Sequence, residues 1–128
     1  MALNKNETDR SYLYGRLLAV ADSIEETYNY RKKTNRTTTN ASRMMEAYSK
    51  RPARTWKIIY ERLTPYIQGL PGGLAYFYKN QINEILDKFD SDEFNSNKSL
   101  SPNYLLGFTH QKMYRKEEEI KELEEKDA

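Results

Sequence analysis

No cysteine occurs among the 128 residues, which excludes disulfides, thiol catalysis and cysteine-ligated zinc and suits a reducing compartment. A single histidine, His110, leaves no second His or Cys to complete a metal site or a catalytic dyad. No run of about 18 apolar residues is present, and Met1 to Arg10 is polar, so neither a membrane span nor a secretory leader is read. The expected location is the cytoplasm. Glycine and proline are few, five and four, and no segment shows convincing strand alternation.

What is present is helical periodicity and aromatic bulk. The length fits one domain, which buries roughly two thirds of its unfolded surface. Eleven Tyr, four Phe and one Trp supplement a modest aliphatic content, because such rings pack while keeping a polar tip wet. From Ser11 to Tyr28 the residues Leu13, Leu17, Val20, Ala21, Ile24 and Tyr28 recur at steps of three and four, with Arg16, Asp22, Glu25 and Glu26 on other faces and Thr8 or Asp9 as cap. Asn29 to Asn40 reads as a basic, mobile connector. A short helix over Ala41 to Ser49 should stop before Pro52, which itself opens the next helix. That helix turns Trp56, Ile59, Tyr60 and Leu63 inward and should kink or end at Pro65.

Gly69 to Gly73 is a breaker, Leu74 to Phe89 a strong amphipathic helix, and Asp90 to Ser101 an acidic, then Ser/Asn-rich loop. After Ser101-Pro102, a last helix is expected to carry Leu105, Leu106, Phe108, Thr109 and Met113 inward. It continues into a tail with Glu117 and Glu122 placed four residues before Lys121 and Lys126. The expected fold is all-α, a single-domain helical bundle of four to five helices over residues 1–128. The first ten residues and about the last twelve are peripheral.

Charge is segregated. The formal net charge is only +2. Yet Arg31, Lys32, Lys33, Arg36, Arg43, Lys50, Arg51, Arg54, Lys57 and Arg62 stand against two acids, Glu46 and Glu61, in one quarter of the chain. Such a band is the footprint of a surface that meets a polyanion, because each phosphate neutralised releases condensed counterions. The competing reading is a solvated face, but few local acids are at hand to pair with these cations. Tyr28, Tyr30, Tyr48, Trp56 and Tyr60 are interleaved with the band. Most of them belong to the core at helical spacing, whereas Tyr30, in wholly polar surroundings, suits stacking on unpaired bases.

Catalytic chemistry is sparse. His110 sits beside Phe108 and Met113, where a structural hydrogen bond is expected. Asp87, Asp90, Asp92 and Glu93 lack the glycine and the final glutamate of a calcium loop. Leu70-Pro71-Gly72-Gly73 has neither the Lys-Ser/Thr nor the preceding strand of a phosphate loop. No enzyme activity, cofactor or metal is expected.

Three segments together resemble the C-terminal region of the large subunit of type I-C CRISPR effector complexes, a region that also occurs as a separately translated small subunit. They are Tyr12-Leu13-Tyr14-Gly15-Arg16-Leu17-Leu18-Ala19-Val20, then Asn40-Ala41-Ser42 leading to Tyr48 and Pro52-Ala53, and finally Leu105-Leu106-Gly107-Phe108-Thr109-His110-Gln111. Between them Tyr78, Ile82 and Glu84-Ile85-Leu86-Asp87 are similar to a family helix in order and spacing. The middle departs from the family pattern, since Ala47-Tyr48-Ser49-Lys50-Arg51 replaces a small-residue run. A Met eleven residues before Tyr12 fits an independent small subunit.

The resemblance implies a non-catalytic subunit lining the belly of an RNA-guided assembly and helping to hold opened DNA. Guide pairing there reads the sequence, and protein contributes backbone contacts. The implied partners are the backbone and large subunits of the complex, another copy of this chain, and target DNA as the displaced single strand. Acidic residues outside the band are expected to face neighbouring subunits. The alternative is a helical protein adaptor with no nucleic-acid contact.

Overall fold

The longest helix among the described residues, α1 (Arg10–Arg31), forms the axis on which the rest is assembled. The computed structural model describes residues 3–36 and 38–114, and these contain seven helices and no strand. After α1 come two short helices, α2 (Asn40–Arg43) and α3 (Met45–Lys50), then α4 (Pro52–Gln68), α5 (Gly72–Leu86), the single turn α6 (Ser91–Phe94) and α7 over residues 103–114. α1 packs against α2, α4 and α5, and α3 packs against α4. The paired-charge tail lies outside the described residues.

α1 starts where Asp9 accepts a hydrogen bond from the Tyr12 amide at 3.1 Å, which satisfies one of the helix's orphan donors. Every residue from Ser11 to Glu25 is buried. Arg16, Asp22 and Glu25, expected on outward faces, are therefore inside. Their burial is tolerated because each is hydrogen-bonded. Arg16 Nε donates to Gln111 Oε1 at 2.9 Å, Asp22 accepts from Thr39 Oγ1 at 2.5 Å and from Lys112 Nζ at 2.8 Å, and Glu25 accepts two bonds from Asn40. Burial presses the Arg16 guanidinium below its ordinary pKa, opposed by the nearby Glu84.

α7 lies on α1 through two glycines. A methyl group at Gly15 would overlap the Tyr104 carbonyl oxygen, and one at Gly107 would overlap the Tyr12 carbonyl oxygen, so the two backbones meet with no side chain between them. This crossing is locked by Arg16 with Gln111 and by the Tyr12 hydroxyl with His110 Nδ1 at 3.0 Å. Gly107 and Gln111 thus form the inner face of α7, and Leu105, Leu106, Thr109 and Met113 are exposed. The inward stripe expected from spacing is corrected: close backbone packing, not apolar bulk, turns this helix. Phe108, half-buried, does face the core.

α4 behaves as its pattern predicts on one side. Trp56, Ile59, Leu63 and Ile67 are buried, each full burial being worth about 2 kcal/mol, while Tyr60 stays half exposed against the Trp56 ring. Two expectations fail here. Pro65 does not end the helix, which continues to Gln68; Glu61 and Pro65 are both exposed, so water can serve the Glu61 carbonyl that loses its N–H partner. The helix expected over Ala41 to Ser49 is two, divided at Met44, whose φ of −104° leaves helical geometry. The acidic loop after Phe89 also contains a turn of helix, α6, capped by Asp90.

An aromatic knot fastens the lower end of this frame. The Tyr14 ring meets Tyr48, Phe89 and Phe94 at centroid distances of 5.7, 4.9 and 5.7 Å. Its hydroxyl donates to the Phe94 carbonyl, and the Tyr48 hydroxyl donates to the Tyr14 carbonyl at 2.5 Å. Burial pushes the Tyr14 phenol from 10.0 up to about 12 and Tyr48 well above its ordinary value.

Candidate nucleic-acid interface

All ten cations of the band are exposed. They start at the C-terminal end of α1, pass through the connector and α2, and return along α4. The connector is shorter than Asn29 to Asn40, because α1 runs on to Arg31 before its backbone turns away.

That turn sets the first group. Thr34 N–H donates to the Asn29 carbonyl at 3.1 Å and Lys33 N–H to the Tyr30 carbonyl at 3.2 Å, the paired bonds that close a helix over a left-handed residue. The left-handed residue is Lys33, with φ of 54°, where glycine is the usual occupant. Arg31, Lys32 and Lys33 surround a groove of about 690 Å³ together with Tyr28, Tyr30 and the chain from Gly69 to Pro71. Lys32 Nζ lies 5.8 Å from the centre of the Tyr28 ring, and Tyr28 in turn meets Tyr66 edge-on at 5.0 Å.

The second group is organised by Asn40. Its backbone N–H and side-chain amide donate to the Glu25 carboxylate at 2.7 and 2.9 Å, and its Oδ1 accepts from Arg43 Nη2 and from Arg62 Nη1, both at 3.3 Å. One asparagine therefore links a carboxylate only 1% exposed to two surface arginines. Thr39 and Ser42 form a reciprocal cap that fixes its position. Arg36 Nη1 reaches the Tyr66 hydroxyl at 3.3 Å, which places it toward the far end of α4.

The third group stands at the start of α4. Arg51 occupies the N-cap with no side-chain cap of its own, and the need is met across space by Asn97, whose Oδ1 accepts from the Arg54 amide at 3.0 Å. The loop bearing Asn97 is held by Arg10, which donates to the Glu93, Ser96 and Lys98 carbonyls, and by Leu100 N–H to the Ser49 carbonyl at 2.7 Å. Capping from a distance frees position 51 for a cation, against the helix dipole. Helical geometry puts Arg54, Lys57 and Glu61 on the outer stripe of α4, opposite Trp56, Ile59 and Leu63, and Arg62 on the flank facing α2.

The band thus forms an exposed strip in three groups, at the C-terminal end of α1, around Asn40 between α2 and α4, and at the start of α4. The structure brings together Arg31, Lys32 and Lys33, and it brings together Arg43 and Arg62. It does not gather all ten into one pocket. Lys50 is the only member paired with an acid among the described residues, with Glu46 at 3.0 Å on an exposed surface, a contact worth well under about 1 kcal/mol. The other cations carry no carboxylate partner among the described residues.

Two acids of α1 are paired with a lysine of α7. Lys112 donates to Asp22 Oδ2 at 2.8 Å and pairs with Glu26. Burial alone would raise Asp22, but hydrogen bonds from Glu26, Lys112 and Thr39 outweigh it and hold the carboxyl below its ordinary value. Glu26, sharing a hydrogen bond with Asp22, is raised. Burial alone would lower Lys112, yet its bonds to both acids leave it raised. Asp22 and Glu25 are therefore spent inside the fold and are not the surface acids expected to face other subunits.

A family model described as CRISPR-associated protein (Cas_Csd1) matches residues 1–115. The chain belongs to the Cas_Csd1 family of CRISPR-associated proteins. A search of curated proteins gives no match. In this Cas_Csd1 chain the matched range contains the whole strip and the α1–α7 crossing. No described helix is long and apolar enough to cross a membrane, and among the described residues no three His, Asp or Glu side chains group closely enough to hold a metal.

Asn40 and Asn97 are the contributors that sequence reasoning missed. For Asn40 a signal existed in the Asn-Ala-Ser segment, and its role becomes visible only once Glu25 is known to be buried. For Asn97 the signal is indirect: an arginine at the N-cap before Pro52 implies a cap from elsewhere, here 43 residues beyond Arg54.

Proposed function

We propose that the chain is a non-catalytic, nucleic-acid-binding small subunit of an RNA-guided type I-C CRISPR interference complex. It holds opened target DNA through backbone contacts that ignore sequence. The observation that carries this reading is the strip of exposed cations along α1, α2 and α4, all but Lys50 without an acid partner among the described residues, in a Cas_Csd1 chain. Exposed Arg and Lys side chains on a fixed backbone match repeating phosphates, and guide pairing elsewhere supplies sequence recognition. Its partners in this role are the backbone and large subunits, further copies of itself and the displaced strand, in the cytoplasm.

The strip predicts a salt dependence. If about six cations engage single-stranded phosphates, raising salt from 50 to 200 mM weakens binding roughly 300-fold, at about 0.7 ion released per contact. The test is charge reversal of Arg51, Arg54 and Lys57 in the reconstituted complex. Intact assembly with impaired target binding is the expected result. Failed assembly would instead make the strip a docking surface for an acidic protein, the role of a helical adaptor.

A further inference from the structure

The groove at the C-terminal end of α1 differs from the rest of the strip because it adds an aromatic platform to the cations. Tyr30 is 85% exposed, although a tyrosine usually covers most of its ring in a fold of this size. It stands on the last turn of α1, where the helix holds it firmly, and no ring contact engages it among the described residues. The adjoining groove, about 690 Å³, has the capacity of a small-ligand site. Arg31, Lys32 and Lys33 line it on one side and the chain from Gly69 to Pro71 on the other.

A second observation falls at the same place. Lys33 sits in the left-handed region at a position where glycine would close the helix without strain. A cation is kept there against the preference of its backbone, and unfavourable backbone conformations concentrate at working sites. Arg31 and Lys33 follow Tyr30 by one and three residues and line the same groove, so a base lying on the ring would have phosphates within reach of both.

We propose that this groove is a subsite for one unpaired nucleobase of single-stranded DNA, with Tyr30 stacking on the base and Arg31 and Lys33 engaging the flanking phosphates. The proposal rests on the nucleic-acid reading of the strip and adds a selection to it. Stacking needs a base face that a duplex does not offer, so the subsite favours the opened strand over paired DNA without reading base identity.

The test measures binding of the full chain, at low salt, to a labelled thymidine oligonucleotide and to an abasic oligonucleotide of equal length and charge. The wild-type chain should prefer the base-bearing strand by about 10-fold, the effect of one stacked base. Tyr30→Ala should abolish that preference with the salt slope unchanged, and Tyr30→Phe should retain it. Equal preference in wild type and Tyr30→Ala would overturn the subsite and leave the strip standing. Loss of the salt slope in the wild type would overturn the strip itself, and the subsite with it.

Discussion

Helices α1 and α4 both carry charged side chains and dispose of them in opposite ways. α4 segregates them: Trp56, Ile59 and Leu63 face the core, while Arg54, Lys57 and Glu61 face water. α1 surrounds three of its charges with protein: Arg16, Asp22 and Glu25 each find a hydrogen-bonding partner on a neighbouring element. The lesson concerns where function can reside. Charges inside α1 are committed to the fold and cannot be removed cheaply, whereas Arg54 and Lys57 on α4 are exposed and free for a ligand.

The largest effect should come from cutting an α1 partnership. Glu25→Ala strands the Asn40 N–H and side-chain amide and opens a cavity, with an expected loss of about 4 kcal/mol in chemical denaturation. Unchanged stability would show that the interior charges of α1 are dispensable. Next, Gly15→Ala forces the α1 and α7 backbones apart and should cost about 3 kcal/mol by the same measurement, with Gly107→Ala behaving alike.

These two predictions also mark how far the sequence could be read. α4 and α5 were legible because each buries one apolar stripe, so Ile59, Leu63, Tyr78 and Ile82 declare their faces by spacing alone. Asp9 and Pro52 marked helix starts through local capping chemistry. α1 was legible as a helix but not in its burial, since an interior Glu25 reads like a surface Glu25 until Asn40 is placed beside it. α7 misled for a related reason: Gly107 makes its inner face by being small, and spacing rules weigh only bulky apolar residues. The strip was legible in composition. Its three-part arrangement was not, because Asn40 and Asn97 act across 15 and 43 residues.

A pH series probes the buried groups of α1 against the exposed ones of α4. Tyr14 binds its proton more tightly in the fold, up to about 12 from 10.0. Its contribution is therefore complete below pH 10 and is lost as pH rises through about 12. Lys112, raised by Asp22 and Glu26, acts in the same direction. Asp22, held below its ordinary 3.8, stabilises above that pH, and the contribution is lost as pH falls through its folded value. Circular dichroism should show alkaline unfolding between pH 10 and 12, and Tyr14→Phe should flatten that loss.

Lys33→Gly is expected to act in the opposite direction. Relief of the left-handed backbone should raise stability by about 1 kcal/mol while weakening DNA binding, a trade read by thermal melting beside a binding titration. A Lys33→Gly chain less stable than wild type would show that the lysine is at ease there.

The division between a committed α1 and a free α4 surface is tested most directly by measuring stability and DNA-binding salt slope together on the Arg51→Glu, Arg54→Glu, Lys57→Glu chain. Stability should stay within about 0.5 kcal/mol per site of wild type, while the slope of log affinity against log salt falls by about 2, the share of three lost phosphate contacts. A wild-type slope in this variant, or collapse of its fold, would contradict the account.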